Sequence, residues 1–361
     1  MDRRQFWIAA GIVLLLVLVG AGTALADKPA QETGDNSACL ACHSDPSLKY
    51  ELPSGELLSL TVDQAVFGDS VHGQQEFACI ACHTEISGYP HPAITASDQR
   101  DYQIERYTLC RRCHPQQYEL TLDSMHARVL ASGNRQGALC TDCHGSHDIG
   151  SPHEPRQKIS ITCSKCHSEI FEQYKESVHG AALLEESNPD VPTCIDCHGV
   201  HNIQDPRTAS FRAESPTLCA GCHADEYLMA QYGISPHVFD TYVADFHGTT
   251  LQLFEPDPDT PPRQAVCFDC HGVHDIKWTD DPESGIAIKE NLLPVCRQCH
   301  PDAAANFPDA WMHHYEPSPE KTWQVYYTEI FFTILTTSVV TALIGHMVLD
   351  FARLVVKKLR G

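Results

Sequence analysis

Nine motifs of one kind use all 18 cysteines of this chain. Each motif is Cys-x-x-Cys-His, in which two thiols can form thioether bonds to the vinyl groups of one haem and the adjacent imidazole can bind its iron. Disulfides and zinc knuckles require no histidine at the fifth position. The motifs therefore predict nine covalently bound c-type haems. The attachment cysteines are Cys39, Cys42, Cys79, Cys82, Cys110, Cys113, Cys140, Cys143, Cys163, Cys166, Cys194, Cys197, Cys219, Cys222, Cys267, Cys270, Cys296 and Cys299. The motif histidines are His43, His83, His114, His144, His167, His198, His223, His271 and His300.

The second iron ligands are sought among the remaining histidines. Most of these recur in register: one lies in a Ser-x-His-Gly-like context between two motifs, and one follows the second motif in Gly-x-His-Asp-Ile. This internal repeat predicts four two-haem units and a single ninth haem. The predicted second ligands are His72, His91, His126, His147, His179, His201, His237, His247 and His274.

The length of chain between two histidines limits whether both can bind the same iron. Imidazoles on opposite sides of one iron put their Cα atoms about 12 Å apart, whereas three residues span at most about 10 Å. His147 therefore cannot complete the iron bound by His144. We call a unit closed if both of its irons take their ligands from that unit alone. For closed units, elimination then gives eight ligand pairs. The pairs are His43 with His91, His83 with His72, His114 with His147, His144 with His126, His167 with His201, His198 with His179, His223 with His274 and His271 with His247. For the ninth iron, at His300, the candidates are His237, His313 and His314, and the inserted His237 is preferred.

Two imidazoles on each iron have chemical consequences. They keep reduction potentials low compared with His/Met ligation, and they leave no open coordination position.

The composition predicts an unusual interior. Aromatic residues make up 8% of the chain, whereas Pro (23) and Gly (21) are plentiful. Such a composition argues against an ordinary side-chain core, and nine flat macrocycles would fill much of the interior instead. We expect a mainly α fold with many loops and little strand, wrapped around the haems. A hairpin is expected around Pro53-Ser-Gly55, and an extended proline-rich loop over 255–262.

The formal charge of -22 bears on partners. It argues against nucleic acid and anionic lipid, and it suits a redox partner with a basic docking surface.

Apolar segments at both ends of the sequence indicate where in the cell the protein is located. Residues 1–26 resemble an export signal with a cleavage site after Ala24-Leu-Ala26, and an uncleaved anchor is the alternative for the same segment. Residues 330–349 form an apolar run long enough to span a membrane. Because Lys357, Lys358 and Arg360 follow this run, the positive-inside rule places the C-terminus in the cytoplasm and the haem region on the periplasmic side of the inner membrane. The predicted segments are a linker (27–38), the haem region (39–315), its units (39–98, 107–150, 160–204, 216–277 and 293–315), a juxtamembrane stretch (316–329) and a cytoplasmic tail (350–361).

One face of the predicted membrane helix carries small residues four positions apart. This face, formed by Thr333, Thr337, Thr341 and Gly345, favours close packing against another transmembrane helix. His346 lies beside it and could adjoin a b-type haem of the partner, line a quinone pocket or hydrogen-bond across the interface.

The nine motifs, with Ser-x-His-Gly and Cys-x-x-Cys-His-Gly-x-His-Asp-Ile, resemble those of the multihaem cytochromes c, including the tetrahaem and octahaem types. The resemblance covers about residues 39–315. It implies haems packed in stacked and perpendicular pairs, and electron passage between quinol oxidation and periplasmic or extracellular acceptors. Many such proteins carry an N-terminal anchor, whereas the clear anchor here is C-terminal.

Two functions remain after these considerations. The first is a non-catalytic electron-transfer subunit, docked through its helix on an integral membrane quinone-reactive protein such as a b-type cytochrome, and exchanging electrons with other periplasmic cytochromes. The alternative is a reductase or dehydrogenase of a small nitrogen or sulfur compound, which needs one open iron. None of the nine motifs has the Lys that typically replaces the motif histidine at such a site. The sequence therefore favours the electron-transfer subunit.

Overall fold

The computed structural model describes residues 34–151, 154–253, 264–282, 286, 289–310 and 314–360. This part of the chain is built from short helices, one two-stranded sheet and one long C-terminal helix. The mainly α fold with little strand is thereby confirmed. The predicted signal, the loop at 255–262 and His313 lie outside the described residues.

The chain divides into two compact units. The first, which we call the N-terminal unit, comprises Met1–Glu154 and Gly199–Gln204. Its elements are α1 (Ser37–His43), β1 (Lys49–Glu51), β2 (Leu57–Ser59), α2 (Gln64–Asp69), a 3-10 turn (Gly73–Gln75), α3 (Cys79–Cys82), α4 (Gln99–Arg106), a 3-10 turn (Tyr107–Arg112), α5 (Pro115–Leu122), α6 (Met125–Ala131) and α7 (Cys140–His144).

The second, which we call the C-terminal unit, comprises Pro155–His198 and Asp205–Gly361. Its elements are α8 (Gln157–Ser164), α9 (Ser168–Lys175), α10 (Val178–Leu184), α11 (Cys194–His198), α12 (Ala209–His223), α13 (Glu226–Gln231), α14 (Val238–Ala244), α15 (Phe246–Leu253), α16 (Cys267–His271), α17 (Lys289–Cys299), a 3-10 turn (Phe307–Ala310) and α18 (Trp323–Arg360).

The predicted hairpin is confirmed. Strands β1 and β2 pair antiparallel, with Tyr50 opposite Leu58. Gly55 lies in the turn with φ of 87°, in the left-handed region that glycine adopts without steric cost.

Side chains form only a small core. Among the described residues the buried apolar side chains are Leu52, Ala78, Ala96, Leu139, Tyr174, Leu183, Ala209, Met229, Tyr242, Val266, Leu292 and Ala303. Such scattered and mostly small groups bury little apolar surface for a chain of this length. The polypeptide therefore leaves much of its interior to be filled by something else, as the composition predicts.

The long helix α18 contains the predicted membrane span. It runs for 38 residues, begins seven residues before the apolar run at 330–349, and continues through Arg360. At 1.5 Å per residue it is about 57 Å long, nearly twice the hydrocarbon thickness of a bilayer. The second half of the predicted juxtamembrane stretch, from Trp323 onward, and the predicted tail through Arg360 are thus helical.

Candidate haem sites

The nine motifs lie on helical turns or at helix ends. In α7, α11 and α16 the motif is the whole helix, whereas the first motif ends α1 and the seventh ends α12. A helical turn places residues three and four apart on one face, so both thiols and the imidazole of a motif can face one ligand. All 18 cysteines are free thiols in the structure. The local geometry therefore fits covalent haem attachment.

Eight pairs of imidazole rings in the described part of the chain face each other at nearly constant separation. Each pair joins one motif histidine to one histidine outside the motifs, and the ring centroids are 5.9 to 6.5 Å apart. The pairs are His43–His91, His83–His147, His114–His72, His144–His201, His198–His274, His223–His179, His271–His314 and His300–His247.

This separation fits an iron between the rings. Two metal–nitrogen bonds of about 2 Å each, plus about 1 Å from each nitrogen to its ring centre, give roughly 6 Å. The rings that meet this distance always come one from a motif and one from outside. The residues present therefore fit bis-histidine haem iron.

Hydrogen bonds fix the orientation of three of these rings. His43 Nδ1 lies 2.6 Å from the carbonyl oxygen of Leu60, and His91 Nδ1 lies 2.8 Å from that of Gly88. His314 Nδ1 lies 3.4 Å from Thr241 Oγ1. An Nδ1–H that donates to an oxygen leaves Nε2 to bind a metal, which is the usual arrangement of metal-ligating histidines.

Burial keeps several of the paired imidazoles neutral. It lowers the pKa of His179 to about 4, and the nearby His223 adds to this effect. Burial likewise lowers the pKa of His271 to about 4, with His314 as the next largest cause. A neutral imidazole is the form that binds iron.

The predicted pairing within closed units is wrong for all but the first iron. The histidine between two motifs faces the leading motif of the next unit, as in His72–His114 and His179–His223. The histidine after a trailing motif faces the trailing motif of the preceding unit, as in His147–His83. The elimination failed because it assumed that the repeats do not exchange ligands. Only His43–His91 agrees with the predicted pairs, and there iron ligation stays a prediction.

The ninth site is also corrected. His247, and not the preferred His237, faces His300. The His237 side chain is 51% exposed, and its Nδ1 lies 3.5 Å from Asp240 and 4.0 Å from Glu316. In closed units His237 is the histidine of the fourth unit that has no iron of its own, which is the reason for preferring it. That reason no longer applies when histidines face the motifs of a neighbouring unit. His314 faces His271, the eighth motif.

His126 and His167 keep their predicted roles by their places in the repeat. His126 follows a serine helix cap, as His179 does, and His72 also lies two residues after a serine. His167 closes a leading motif, as His114 does. Both therefore stay predicted iron ligands.

A backbone hydrogen bond links successive repeats at the places where ligands are exchanged. In each case the N–H just before the middle histidine donates to the carbonyl of the isoleucine two residues after the next unit's final histidine. The bonds are Val71 to Ile149, Met125 to Ile203 and Val178 to Ile276, each 2.8 Å long. The isoleucine two residues after the final histidine, in His-Asp-Ile or His-Asn-Ile, thus marks a contact between repeats, a role that sequence analysis missed.

Serine hydroxyls lie beside the middle histidines. Ser177 caps α10 and accepts the backbone N–H of Gly180 at 3.0 Å, and Ser70, just before the 3-10 turn at Gly73, accepts the N–H of Gly73 at the same distance. A Cβ on Gly180 would lie 1.8 Å from the carbonyl oxygen of Tyr174, so glycine is required there. Capping fixes the first turn of the helix that carries the histidine.

An arginine that precedes the leading motif of each later unit holds the trailing motif of that unit, and we call this contact the arginine clamp. The arginine pairs with the aspartate of Cys-x-Asp-Cys-His and also donates to the carbonyl five residues before that aspartate. The clamps are Arg100 with Asp142 (2.9 Å) and Gly137 (2.5 Å), Arg156 with Asp196 (3.1 Å) and Val191 (2.9 Å), and Arg212 with Asp269 (2.5 Å) and Gln264 (3.0 Å). The same register in three units indicates a structural element of the repeat that sequence analysis also missed.

Within each unit of the fold, motifs that are neighbours in sequence are neighbours in space. The first thiols of paired motifs lie close enough to shift each other's pKa, and these neighbouring thiols are Cys39–Cys79, Cys110–Cys140, Cys163–Cys194 and Cys219–Cys267. Burial raises the pKa of Cys82, Cys197 and Cys270, and thiols of the following motif add to this effect. The motifs therefore follow one another as a series in both units.

Comparison with known proteins supports the same class of site. Residues 132–224 match the family model of cytochrome c3. The cytochrome c-type protein NrfB of Escherichia coli O6:H1 is 26% identical over 151 residues, which cover 37% of this chain and 76% of that protein. The tetraheme c-type cytochrome CymA of Shewanella oneidensis is 23% identical over 204 residues, which cover 54% of this chain and 89% of that protein. No solved structure matches the chain significantly.

The motifs, the matched family model and these relatives support a multihaem c-type cytochrome that acts in electron transfer. The apolar helix α18 fits attachment of this cytochrome to a membrane.

Proposed function

We propose that the chain binds nine c-type haems and relays electrons between a quinone-reactive membrane subunit and periplasmic or extracellular redox partners. The observation that carries this proposal is the series of imidazole pairs, four in the N-terminal unit and four in the C-terminal unit, each spaced for one iron. A bound c-type haem supplies reversible one-electron transfer at its iron.

The cysteine side chains would position the haems, and the histidine side chains would set their reduction potentials as iron ligands. The thioether cysteines would hold neighbouring haems in sequence order, because the thiols of motifs that are adjacent in sequence already lie near one another within each unit. Two imidazoles at each of these irons would keep the potentials low and exclude a substrate from the metal. Such sites suit relay and do not suit catalysis on a small molecule.

Two surfaces would meet the partners. The acidic charge of -22 suits a basic face on a soluble redox partner. On α18, the small-residue face of Thr333, Thr337, Thr341 and Gly345 suits a neighbouring transmembrane helix of the quinone-reactive subunit. A Cβ on Gly345 would meet nothing within 4 Å in the chain, so a second helix could approach closely there.

The charges around α18 support the orientation. Lys357, Lys358 and Arg360 occupy its last turn, and Glu316 and Glu320 precede it. Basic residues favour the cytoplasmic side, which would put the haem region on the periplasmic side.

Haem counting and spin state test the proposal together. Pyridine haemochrome absorbance of the purified full-length protein should give nine haems per chain, and the oxidised protein should show only low-spin ferric EPR signals. Native membranes supplied with quinol should reduce it, and quinol alone should not. A high-spin signal from about one-ninth of the iron would reveal an open site and favour the reductase alternative, while a smaller haem count would contradict the relay as described.

A further inference from the structure

The histidine that faces the eighth motif lies next to the membrane helix in sequence. His314 precedes the first residue of α18, Trp323, by nine positions. Its ring lies 6.2 Å from that of His271, with an angle of 18° between the planes. The contact of its Nδ1 with Thr241 directs iron binding to Nε2.

The stretch between His314 and α18 is short and held by several contacts. His237 Nδ1 lies 4.0 Å from Glu316 Oε1. The ammonium of Lys321 lies 3.2 Å from the centre of the Tyr315 ring, within cation–π distance. The N–H of Thr322 donates to the carbonyl of Ser318 at 3.0 Å. This segment is therefore a fixed connection and not a loose linker.

The first turn of α18 marks the membrane surface. Trp323, Tyr326 and Tyr327 lie there, and aromatic residues of this kind gather at the headgroup level. Nine residues span at most about 30 Å even when fully extended, and the turn at Ser318 shortens this one. If the bilayer surface lies at the start of α18, His314 is less than about 30 Å from it.

We propose that residues 314–322 form a coordination tether, in which His314 binds the iron of the eighth motif and the same segment fixes that haem beside the membrane. This proposal rests on the proposed function and deepens it, because it identifies the haem of Cys267, Cys270 and His271 as the point where electrons pass between the membrane subunit and the relay.

The ligand role is tested with full-length holoprotein carrying His314→Gly. The thioether cysteines are untouched, so nine haems should remain, and about one-ninth of the iron should become high-spin. Added imidazole should return that fraction to the low-spin state. The matched control is His237→Gly, which removes a nearby histidine that faces no motif ring in this assignment and should leave every iron low-spin. If His314→Gly leaves every iron low-spin, the ligand assignment is overturned.

A second variant protects the test against poor folding of the glycine protein. His314→Met keeps a side chain that can bind iron, and it should move the potential of one haem upward while all nine stay low-spin. Nine unchanged potentials would overturn the assignment.

The position of this haem is tested in liposomes whose lipids carry a nitroxide at the headgroup. The high-spin iron opened by His314→Gly should speed nitroxide relaxation compared with wild type. A ten-residue Gly-Ser insertion after Glu320 in the same variant should remove this enhancement. If nine haems are present and the iron opens but the relaxation does not change, the membrane position is wrong while the relay stands. A haem count below nine would instead contradict the proposed electron relay and, with it, the coordination tether.

Discussion

The interior repeats and the first predicted haem site of the chain pair their imidazoles in different ways. In the interior, neighbouring repeats exchange histidines: His147 faces His83, and His201 faces His144. At the first site, His43 takes its partner from the same unit, His91, which is exposed and lies eight residues after the second motif. Residues 1–38 contain no Cys-x-x-Cys-His motif, and the ring that faces the first motif histidine comes from the same unit.

The same contrast appears in the supporting contacts. The second motif of the first unit has Ala81 where later units have the clamp aspartate. There Asn36 makes the connection, donating to the carbonyl of Phe77 at 3.0 Å and accepting the N–H of Cys79 at 2.8 Å. Terminal repeats of repeat proteins commonly differ from interior ones because they have one neighbour instead of two. An interior haem should therefore stabilise two repeats, whereas the first haem should stabilise one.

The largest difference is expected from removing whole haems. Replacing Cys194 and Cys197 with Ala removes an interior haem and should cost more than about 4 kcal/mol, the stabilisation that a tightly held group supplies. Replacing Cys39 and Cys42 with Ala should leave an eight-haem protein whose other sites are intact. The measurement is haem content together with protease resistance. Equal losses in the two variants would contradict the difference between interior and end.

A smaller difference is expected from single ligands. His201→Gly and His91→Gly should each turn about one-ninth of the iron high-spin. The interior change should also lower Tm by about 4–8 °C, which corresponds to about 2 kcal/mol, because it loosens the junction of two repeats. The exposed His91 should leave Tm nearly unchanged. Thermal unfolding followed by Soret absorbance checks both, and an equal Tm loss for His91→Gly would count against the comparison.

The clamp gives a third test. Arg212→Gln removes a charged hydrogen bond to Asp269, and the two side chains are only 22% and 24% exposed. We expect a loss of about 1–3 kcal/mol, measured by denaturant unfolding. The matched control is Arg207→Gln, whose side chain is 83% exposed and whose pairing with Asp205 should contribute nothing measurable. A control loss as large as that of Arg212→Gln would show that the clamp has no special role.

An effect of the same size as that of the clamp is expected at one glycine. Gly180→Ala forces a Cβ against the carbonyl of Tyr174 and should cost about 1–3 kcal/mol through overpacking. Gly68→Ala is the control, because its Cβ would meet nothing within 4 Å. A stable Gly180→Ala protein with an unchanged unfolding curve would show that the backbone at this cap can shift.

Much of this architecture could be predicted from local patterns. The hairpin, the short helices and α18 follow from turn residues, motif spacing and an apolar run, all of which are properties of adjacent residues. The attachment cysteines could be predicted in the same way, and they stay predictions of haem binding. The ligand pairs could not be fixed, because the spacing of His114, His126 and His147 fits both closed and interlinked repeats.

A signal of interlinked repeats was nonetheless present at the ends of the chain. Closed units leave the ninth motif without a partner and make His237 spare, whereas interlinked units use His247 for His300 and need an added histidine for His271, which His314 provides. The clamp arginines and the isoleucine contacts escaped notice because they join distant segments through hydrogen bonds, which leave no periodic pattern along the sequence.

The central claim is that a histidine of one repeat binds an iron of its neighbour, and His147 tests it most directly. His147→Gly should produce a high-spin iron in the full protein. It should produce none in a protein from which the haem of His83 has been removed by Cys79→Ala and Cys82→Ala. The contrary result, a high-spin signal that survives loss of that haem and disappears when Cys110 and Cys113 are replaced instead, would return His147 to the iron of His114 and restore closed units.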